Sequence, residues 1–595
     1  MKNKQTAPMS LQNPFEKHAD EKLVRIDKIF LCILTAVYGL IALLNLGTLN
    51  FPDSVYYGDT GDTFTLTFDG PVSIGEVWGN GNIADGASLT FTNEAGESRT
   101  YEQDQGDMFK WHKESFDFST EGTVYVEAEG AVALNEMAFF DEGGNLLAVT
   151  ASKGGEKLVD EQGTVPESPG YFNGMIFDEI YHARTAYEHI HNLSVYEWTH
   201  PPLGKLIIAV GILIFGMNPF GWRIMGTLFG IAMVPIVYVF GKRLFKRTDY
   251  ALLAAGLWAF DCMHFTQTRI ATIDVYGVFF ILLMFLFMYE YIRRPYLTTP
   301  LKEKFKYLTL SGLSFGLGVA SKWIGCYAGA GLAVLFFGHV IAAGWRLYKE
   351  KENGEGAEEK KLYWRITLKT VLWCCLFFVA IPAAIYALSY LPYYRYEATS
   401  RGDYGIREAI ETLFYYQKIM YNYHSGLTAT HMCQSTWFQW PFTAKSVWFY
   451  VSGGNGWISN ISSTGNPAVW WVSSIGAVCL LLEWAMGKLK KDPALPMLLV
   501  GVLANYLPWV LVSRCVFLYH FFATVPFILL ASVYLLKHLE EGNSRWRRIK
   551  WIWLGIAVVY FVLMYPAISG LPTPMWYAGF LENVLPTGYL YYGWV

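Results

Sequence analysis

Charge is scarce in this sequence. Asp, Glu, Lys and Arg make up 16% of its 595 residues, and the net charge is only −4. With so small a sum, the placement of charges carries the information, and no nucleic-acid partner is expected. Cysteine is no richer: eight residues, mostly within apolar segments (Cys374, Cys375, Cys479), show no paired spacing that would mark a disulfide framework or a zinc site. The chain has no Gly-rich nucleotide loop, internal repeat or low-complexity tract. No cleavable signal stands out, so the first apolar run reads as an uncleaved signal-anchor. What remains is 53% hydrophobic and 17% aromatic, with Trp and Tyr abundant. That profile is a polytopic α-helical membrane protein with aromatic residues for its interfaces.

A bilayer core takes about 20 apolar residues per helix. The sequence predicts about eleven spans, at 28–49, 222–244, 249–266, 270–292, 307–324, 326–346, 366–388, 467–486, 494–512, 515–537 and 550–569. The apolar run 203–217 is short and reads as an interfacial or re-entrant helix. With the N-terminus inside, the basic clusters "KRLFKR", "RRPYLTTPLKEKFK", "WRLYKEKENGEGAEEKK", "GKLKKD" and "KHLEEGNSRWRR" all fall on one side, as the positive-inside bias requires. The C-terminus is then outside.

Two long segments, 50–202 and 390–466, become extracytoplasmic. Residues 51–153 alternate in "DTFTLTFDG" and "GTVYVEAEG" with Gly, Asn and Asp turns between, a strand pattern. "ALNEMAFFDEGGNLLAV" reads as two strands around a Gly-Gly turn. The expectation is a small inserted β-sandwich, similar to galactose-binding-like jelly rolls, acting as a spacer or docking surface in preference to a carbohydrate-binding module. The remaining divisions expected are 1–50 (inner N-terminus and first helix), 154–170 (polar linker), 171–389 (core), 390–466 (outer loop) and 467–595 (C-terminal helices and a short outer tail).

The polar residues concentrate on the outer face. Asp178 and Glu179 open a predicted helix, with His182 one turn from Asp178. Acids at a helix start are ordinarily favoured by its dipole alone. Downstream, "THPPLGK" fixes the backbone at Pro201 and Pro202, orients His200 and puts Lys205 at the membrane boundary, where an ordinary lysine would snorkel. Arg223 starts one span, Arg269 and Asp274 flank the start of another, Lys322 ends a third, and Arg514 precedes Tyr519 and His520. Ionisable groups near spans face a cavity or one another, so an anionic headgroup competes here with internal pairing such as Arg269–Asp274. In the second outer loop His424, His431, Trp437 and Trp440 crowd together, offering sugar-binding aromatic platforms or an interfacial belt. Two histidines seven apart without a compact motif define no metal site.

The acid pair together with "HPPLGK", "WRIMGTLFG", "RIATIDVYGVFF", "ASKWIG", "HMCQSTWFQWP", "STGNPAVWW" and "FLYHFFATVPF" resembles the protein O-mannosyltransferase family, GT-C fold glycosyltransferases of family 39, in its bacterial form, from about residue 171 to 595. The resemblance implies a polyprenyl-phosphate-linked mannose donor and transfer to Ser or Thr of a protein or peptide outside the cytoplasm, with no firm cofactor. It places Asp178, with its neighbour Glu179, at the catalytic acid, and Arg223 and Lys322 near the donor phosphate, with Arg269 and Arg514 as further phosphate-binding candidates. His182, His200, Lys205, Asp274, His424, His431, Trp437, Trp440, Tyr519 and His520 are supporting or substrate-binding candidates. The chain departs from the family in lacking room for the β-trefoil of eukaryotic members and in carrying the inserted sandwich.

On that reading Asp178 is the general base in an inverting single displacement, and the cations stabilise a lipid-phosphate leaving group. Other readings stay open. A related transferase could move another sugar to a lipid or cell-wall glycan. A transporter or flippase predicts broken helices, often in repeated halves. A non-catalytic sugar-binding protein would rest on the sandwich. A bacterial plasma membrane is the expected location.

Overall fold

The computed structural model describes residues 22–584 except 85, 105, 107, 351–355, 490 and 491. The expected inner N-terminus up to residue 21 and the outer tail from 585 lie outside the described residues. Contacts divide the chain into two compact units, one made of 44–187 and 208–225, the other of 1–43, 188–207 and 226–595.

In the first unit, nine strands form two antiparallel sheets: β1 (Tyr56–Gly58), β2 (Thr63–Phe68), β3 (Val72–Gly81), β4 (Ala87–Thr92), β5 (Ser98–Gln103), β6 (Trp111–Thr120), β7 (Thr123–Glu129), β8 (Val132–Asp141) and β9 (Val149–Ala151). Their orders are β1-β8-β3-β6 and β5-β4-β7-β2-β9. Alternation drives the assembly: β7 buries every second residue, and Phe64, Leu66, Phe91, Val126 and Phe139 meet in the core. Each such side chain contributes roughly 1.5–3 kcal/mol on burial. The strand pair expected around the Gly-Gly turn takes a different form. Asp141 holds the turn by accepting from Asn145 N at 2.8 Å, but the return makes only a bridge from Leu146 to Phe140 before β9 joins the opposite sheet beside β2. Strand β8 is buried on both faces, because Trp78, Trp111 and Phe140 form a second cluster on its outer side with Val165 against it. The stretch expected as a polar linker therefore packs: Leu158 and Val159 enter the sandwich core, and Gln162 and the Glu161 N–H hydrogen-bond to the buried Glu136.

Helices make up most of the rest: α1 (Arg25–Leu43), α2 (Glu179–His191), α3 (Leu203–Phe215), α4 (Pro219–Phe245), α5 (Thr248–Ala259), α6 (Cys262–Gln267), α7 (Asp274–Ile292), α8 (Leu301–Ser321), α9 (Ile324–Glu350), α10 (Ala357–Cys375), α11 (Ile381–Ser389), α12 (Leu391–Arg401), α13 (Ile406–Gly426), α14 (Pro467–Ala485), α15 (Ala494–Tyr506), α16 (Val525–Gly542) and α17 (Ile549–Ser569). Among the described residues, eight segments are long and apolar enough to cross a membrane: α1, α4, α7, α9, α10 with α11, α14, α15 with its short extension, and α17 with the turn before it. The other three expected spans are helical but differ. The run 249–266 breaks at Asp261, whose side chain accepts from His264 N and so starts α6 as a separate helix. The expected span 307–324 begins earlier, at Leu301, and carries the charged "LKEKFK" in its first turns. The run 515–537 opens with a short 3-10 turn at Leu518–Phe521 and becomes α-helical only at Val525, where Pro526 fits the first turn. Helix α3 has 13 residues, about 20 Å of rise, too short to span.

Within the second unit, α7 is buried almost throughout. Helix α8 lies so close to the π-turn joining α10 and α11 that a Cβ at Gly312 would collide with the Phe377 carbonyl, which is why a glycine stands there. A buried pair, Asp27 with Lys242 at 3.1 Å, ties α1 to α4, and Tyr238 adds a hydrogen bond to the same carboxylate. The outer segment holds α12, α13 and a hairpin of β10 (Val447–Gly454) and β11 (Trp457–Ser463).

Candidate active site

In the first unit, the acid pair sits where a turn becomes α2. Phe177 takes a positive φ of 46°, and the Asp178 carbonyl accepts from Tyr181 N and His182 N, so Asp178 stands at the helix entrance and His182 is buried behind it. The two acids then diverge. Glu179 is fully buried and accepts from Arg223 Nε at Oε1 and Nη2 at Oε2, both 2.7 Å, and from Ile176 N at 3.0 Å. Arg223, 1% exposed, directs its remaining N–H groups to the carbonyls of Leu46 (2.9 Å), Tyr171 (2.7 Å) and Gly174 (3.0 Å). A guanidinium has five N–H donors, and all five are engaged. Arg223, expected beside the donor phosphate, thus has its five donors engaged within the protein, and Glu179, expected beside the catalytic acid, is its ion-pair partner at this turn. Asp178 is half-buried at the helix entrance.

In the second unit, the HPPLGK turn is organised by a residue the sequence reading passed over, Glu197. Its Oε1 receives His200 Nδ1 at 3.1 Å and Thr199 N at 2.9 Å, and its carboxylate pairs with Lys205. Lys205 is completely buried and also bonds the carbonyls of Glu197 and His200, so it does not snorkel. Pro201 and Pro202 are buried. Tyr393 donates to the Glu197 carbonyl at 3.2 Å, and His424 Nε2 lies 2.7 Å from the Thr199 carbonyl. The rings of His200 and His424 are 5.3 Å apart. Burial, above all, pushes His200 below the usual histidine range and His424 down to about 4, so both are neutral at pH 7.

Lys322, at the extended residue that ends α8, bonds Asp274 at 2.7 Å with both side chains about nine-tenths buried. The pairing of Asp274 is thus with Lys322 where Arg269 was the expected partner. Arg269 donates to the Ala42 carbonyl at 3.1 Å and lies over Phe265. Lys322 also lies 5.9 Å from the Tyr519 ring centre. Arg514 is half-buried and bonds the Cys515 carbonyl, and its charge, like that of Lys322, reaches His424 and His520. Lys322, Arg514, His200, His424 and His520 therefore share one neighbourhood.

The aromatic residues of the outer loop separate. Trp440 is fully buried, donates to Ser435 and stacks on His520, so it is core and not a sugar platform. Trp437 packs its ring against Tyr506 and is only partly buried. His431 is exposed, accepts from Cys433 N and touches Phe517, away from the bond His424 makes. Directly after Lys322 comes Trp323, which donates to Tyr386 at 2.9 Å, and Tyr386 in turn bonds Gln417 at 2.7 Å. These residues edge a cavity of about 380 Å³ lined by Phe315, Val319, Pro382 and Phe414. An apolar cavity thus adjoins the cationic neighbourhood through consecutive residues.

Two family models match. One, described as dolichyl-phosphate-mannose-protein mannosyltransferase, covers residues 169–393, and the other, the C-terminal four-transmembrane region of protein-O-mannosyltransferase, covers 409–577. Neither reaches the sandwich. The chain is 27% identical over 453 residues to a polyprenol-phosphate-mannose–protein mannosyltransferase of Mycolicibacterium smegmatis, 67% of this chain and 84% of that one. It is 27% identical over 459 residues to the protein so named in Mycobacterium tuberculosis, 67% and 83% respectively. Its fold is shared with the Saccharomyces cerevisiae protein O-mannosyltransferase Pmt1–Pmt2 complex bound to the sugar donor, at a TM-score of 0.59 and 14% identity over 70% of this chain and 89% of that one.

Proposed function

From the premise that this chain belongs to the protein O-mannosyltransferase family, with its GT-C fold, we propose that it moves a mannosyl residue from a polyprenyl-phosphate donor to Ser or Thr hydroxyls of proteins. The observation that carries this reading is the junction at Lys322 and Trp323. A lipid-linked phosphate needs a cation for its head and an apolar groove for its tail; here Lys322 supplies the cation, and Trp323, the next residue, lines an apolar groove.

Asp178 is the general base: it takes the hydroxyl proton as the acceptor oxygen forms its bond to the anomeric carbon. The bond from that carbon to the phosphate oxygen breaks in the same displacement, which inverts the centre. The departing phosphate carries the charge, and Lys322 and Arg514 stabilise it with no need for a general acid. Arg223 and Glu179 hold the turn that presents Asp178. The reaction belongs to the extracytoplasmic face of a bacterial plasma membrane, with the N-terminus inside and the C-terminus outside, on the side opposite the basic clusters.

The test is transfer by the purified protein from polyprenyl-phosphate-mannose to a Ser/Thr-rich peptide, with Asp178→Asn and Lys322→Met alongside. Transfer by wild type and its loss in both variants supports the reading. Full transfer by Asp178→Asn removes the base assignment. Donor turnover without peptide labelling redirects the acceptor to a lipid or glycan.

A further inference from the structure

We infer that Glu197 is a positioning residue that keeps the His200 ring ready to meet the donor phosphate as a cation. This rests on the proposed lipid-phosphate donor and adds to it a residue and a role. Glu197 Oε1 is an acceptor only, so the His200 nitrogen 3.1 Å away, Nδ1, carries the hydrogen. Thr199 Oγ1 fits the same assignment, donating to Glu197 and lying 3.0 Å from Nδ1. The tautomer is thereby fixed, and the ring acquires its second proton at Nε2.

The charged and titratable groups around the ring come from five places in the fold, and His520, between α15 and α16, is coupled to the ring as well. Glu197 and Lys205 flank it on its own turn and α3, His424 faces it from α13, Lys322 acts on it from the end of α8, and Tyr393 of α12 anchors the Glu197 backbone. Burial, then Lys322 and Lys205, favour the neutral ring. Glu197 favours the charged form, through both its charge and its hydrogen bond. In the resting protein the balance is neutral. An incoming phosphate brings a negative charge and tips it, with the proton drawn from solvent. Glu197 is therefore what keeps the imidazolium within reach in a neighbourhood that already holds Lys322. Lys205 pairs with one side of the carboxylate and Thr199 donates to another, so Glu197 is held fixed while the ring changes state.

The experiment measures binding of polyprenyl-phosphate-mannose to the full chain in detergent as a function of pH, without acceptor, followed by transfer to peptide. The donor is a phosphodiester and keeps one charge throughout, so a pH dependence belongs to the protein. The variants are Glu197→Gln, Glu197→Asp, the pair Glu197→Gln with Lys205→Met (which avoids an amide turned towards a buried lysine) and His200→Asn. Wild type is expected to lose affinity as pH rises through the titration of the bound ring, and His200→Asn to lose that dependence. The Gln/Met pair shifts the affinity loss to lower pH by about one unit, equivalent to about a tenfold weaker donor at a fixed pH on that limb. Glu197→Asp restores the wild-type position. A Gln/Met pair that melts earlier but keeps the wild-type pH limb overturns the inference, since that is the signature of a purely structural carboxylate. Binding and a normal limb shift without peptide labelling overturn the acceptor reading alone. Absence of donor binding in the wild type overturns both.

Discussion

Arg223 grips Glu179 through two parallel hydrogen bonds of 2.7 Å while its other donors hold three backbone carbonyls from 46, 171 and 174. One side chain thus closes the turn before α2 from three directions. Removing either partner leaves a buried charge uncompensated, at a cost of about 3–5 kcal/mol. Arg223→Lys is expected to be nearly as damaging as Arg223→Ala, because a lysine cannot make five bonds in a planar fork. Thermal unfolding in detergent, with activity followed at low temperature, separates this folding defect from a catalytic one.

Asp178 has the opposite signature. On the proposed role as base, Asp178→Asn lowers the rate of transfer by roughly 10²–10⁴-fold while unfolding and donor binding stay near wild type. A parallel fall in the unfolding midpoint would place Asp178 with Glu179 as an anchor.

The two outer-loop tryptophans are distinguishable. Trp440 is fully buried among Trp509, His520 and Phe521, so Trp440→Ala is expected to cost about 3–5 kcal/mol of stability. Trp437, partly buried, should cost less, and any effect of Trp437→Ala on peptide KM without loss of stability would mark it as an acceptor contact. Unfolding midpoints and peptide KM values for both variants decide this.

The sandwich contains a pH-sensitive group of its own. Burial, above all, pushes Glu136 up to about 8. A carboxyl raised in the folded state keeps its proton there while the unfolded chain gives it up. The sandwich therefore loses stability as pH rises from the ordinary carboxylate range towards about 8 and changes little beyond. Glu136→Gln removes the dependence and is expected to flatten the profile. Hydrogen exchange of β8 and of residues 158–165 across that pH range reads it directly.

The membrane-spanning segments were legible because lipid demands about 20 apolar residues in a row and nothing local can substitute for them. The sandwich strands showed in their alternation. Breaks and partners were less legible. Asp261 lies inside an apolar run and ends one helix by capping the next, and its importance depends on Asn466 and Trp470, some two hundred residues away, which bond the same carboxylate. Arg223 looked like a phosphate ligand because the sequence records its charge but not the backbone carbonyls that exhaust it. Glu197 was hidden for the converse reason: a single acid beside a Pro-Pro turn has no local pattern, and its role appears only when Lys205, Tyr393 and His424 fold around it. Lys322 was legible as an ionisable residue at the end of a span, but not its partner, Asp274.

That last pair has a chemical consequence. Lys322 already holds a carboxylate at 2.7 Å. Asp274 is a resident counter-ion, and on the proposed function an incoming phosphate competes with it for the three donors of the ammonium. A small soluble phosphate has only its charge to offer and meets an occupied cation. A phosphate on a long hydrocarbon chain also gains the free energy of filling the adjoining apolar cavity. On the proposed function, the salt bridge would thus favour anions that arrive with a tail over the far more numerous ones without.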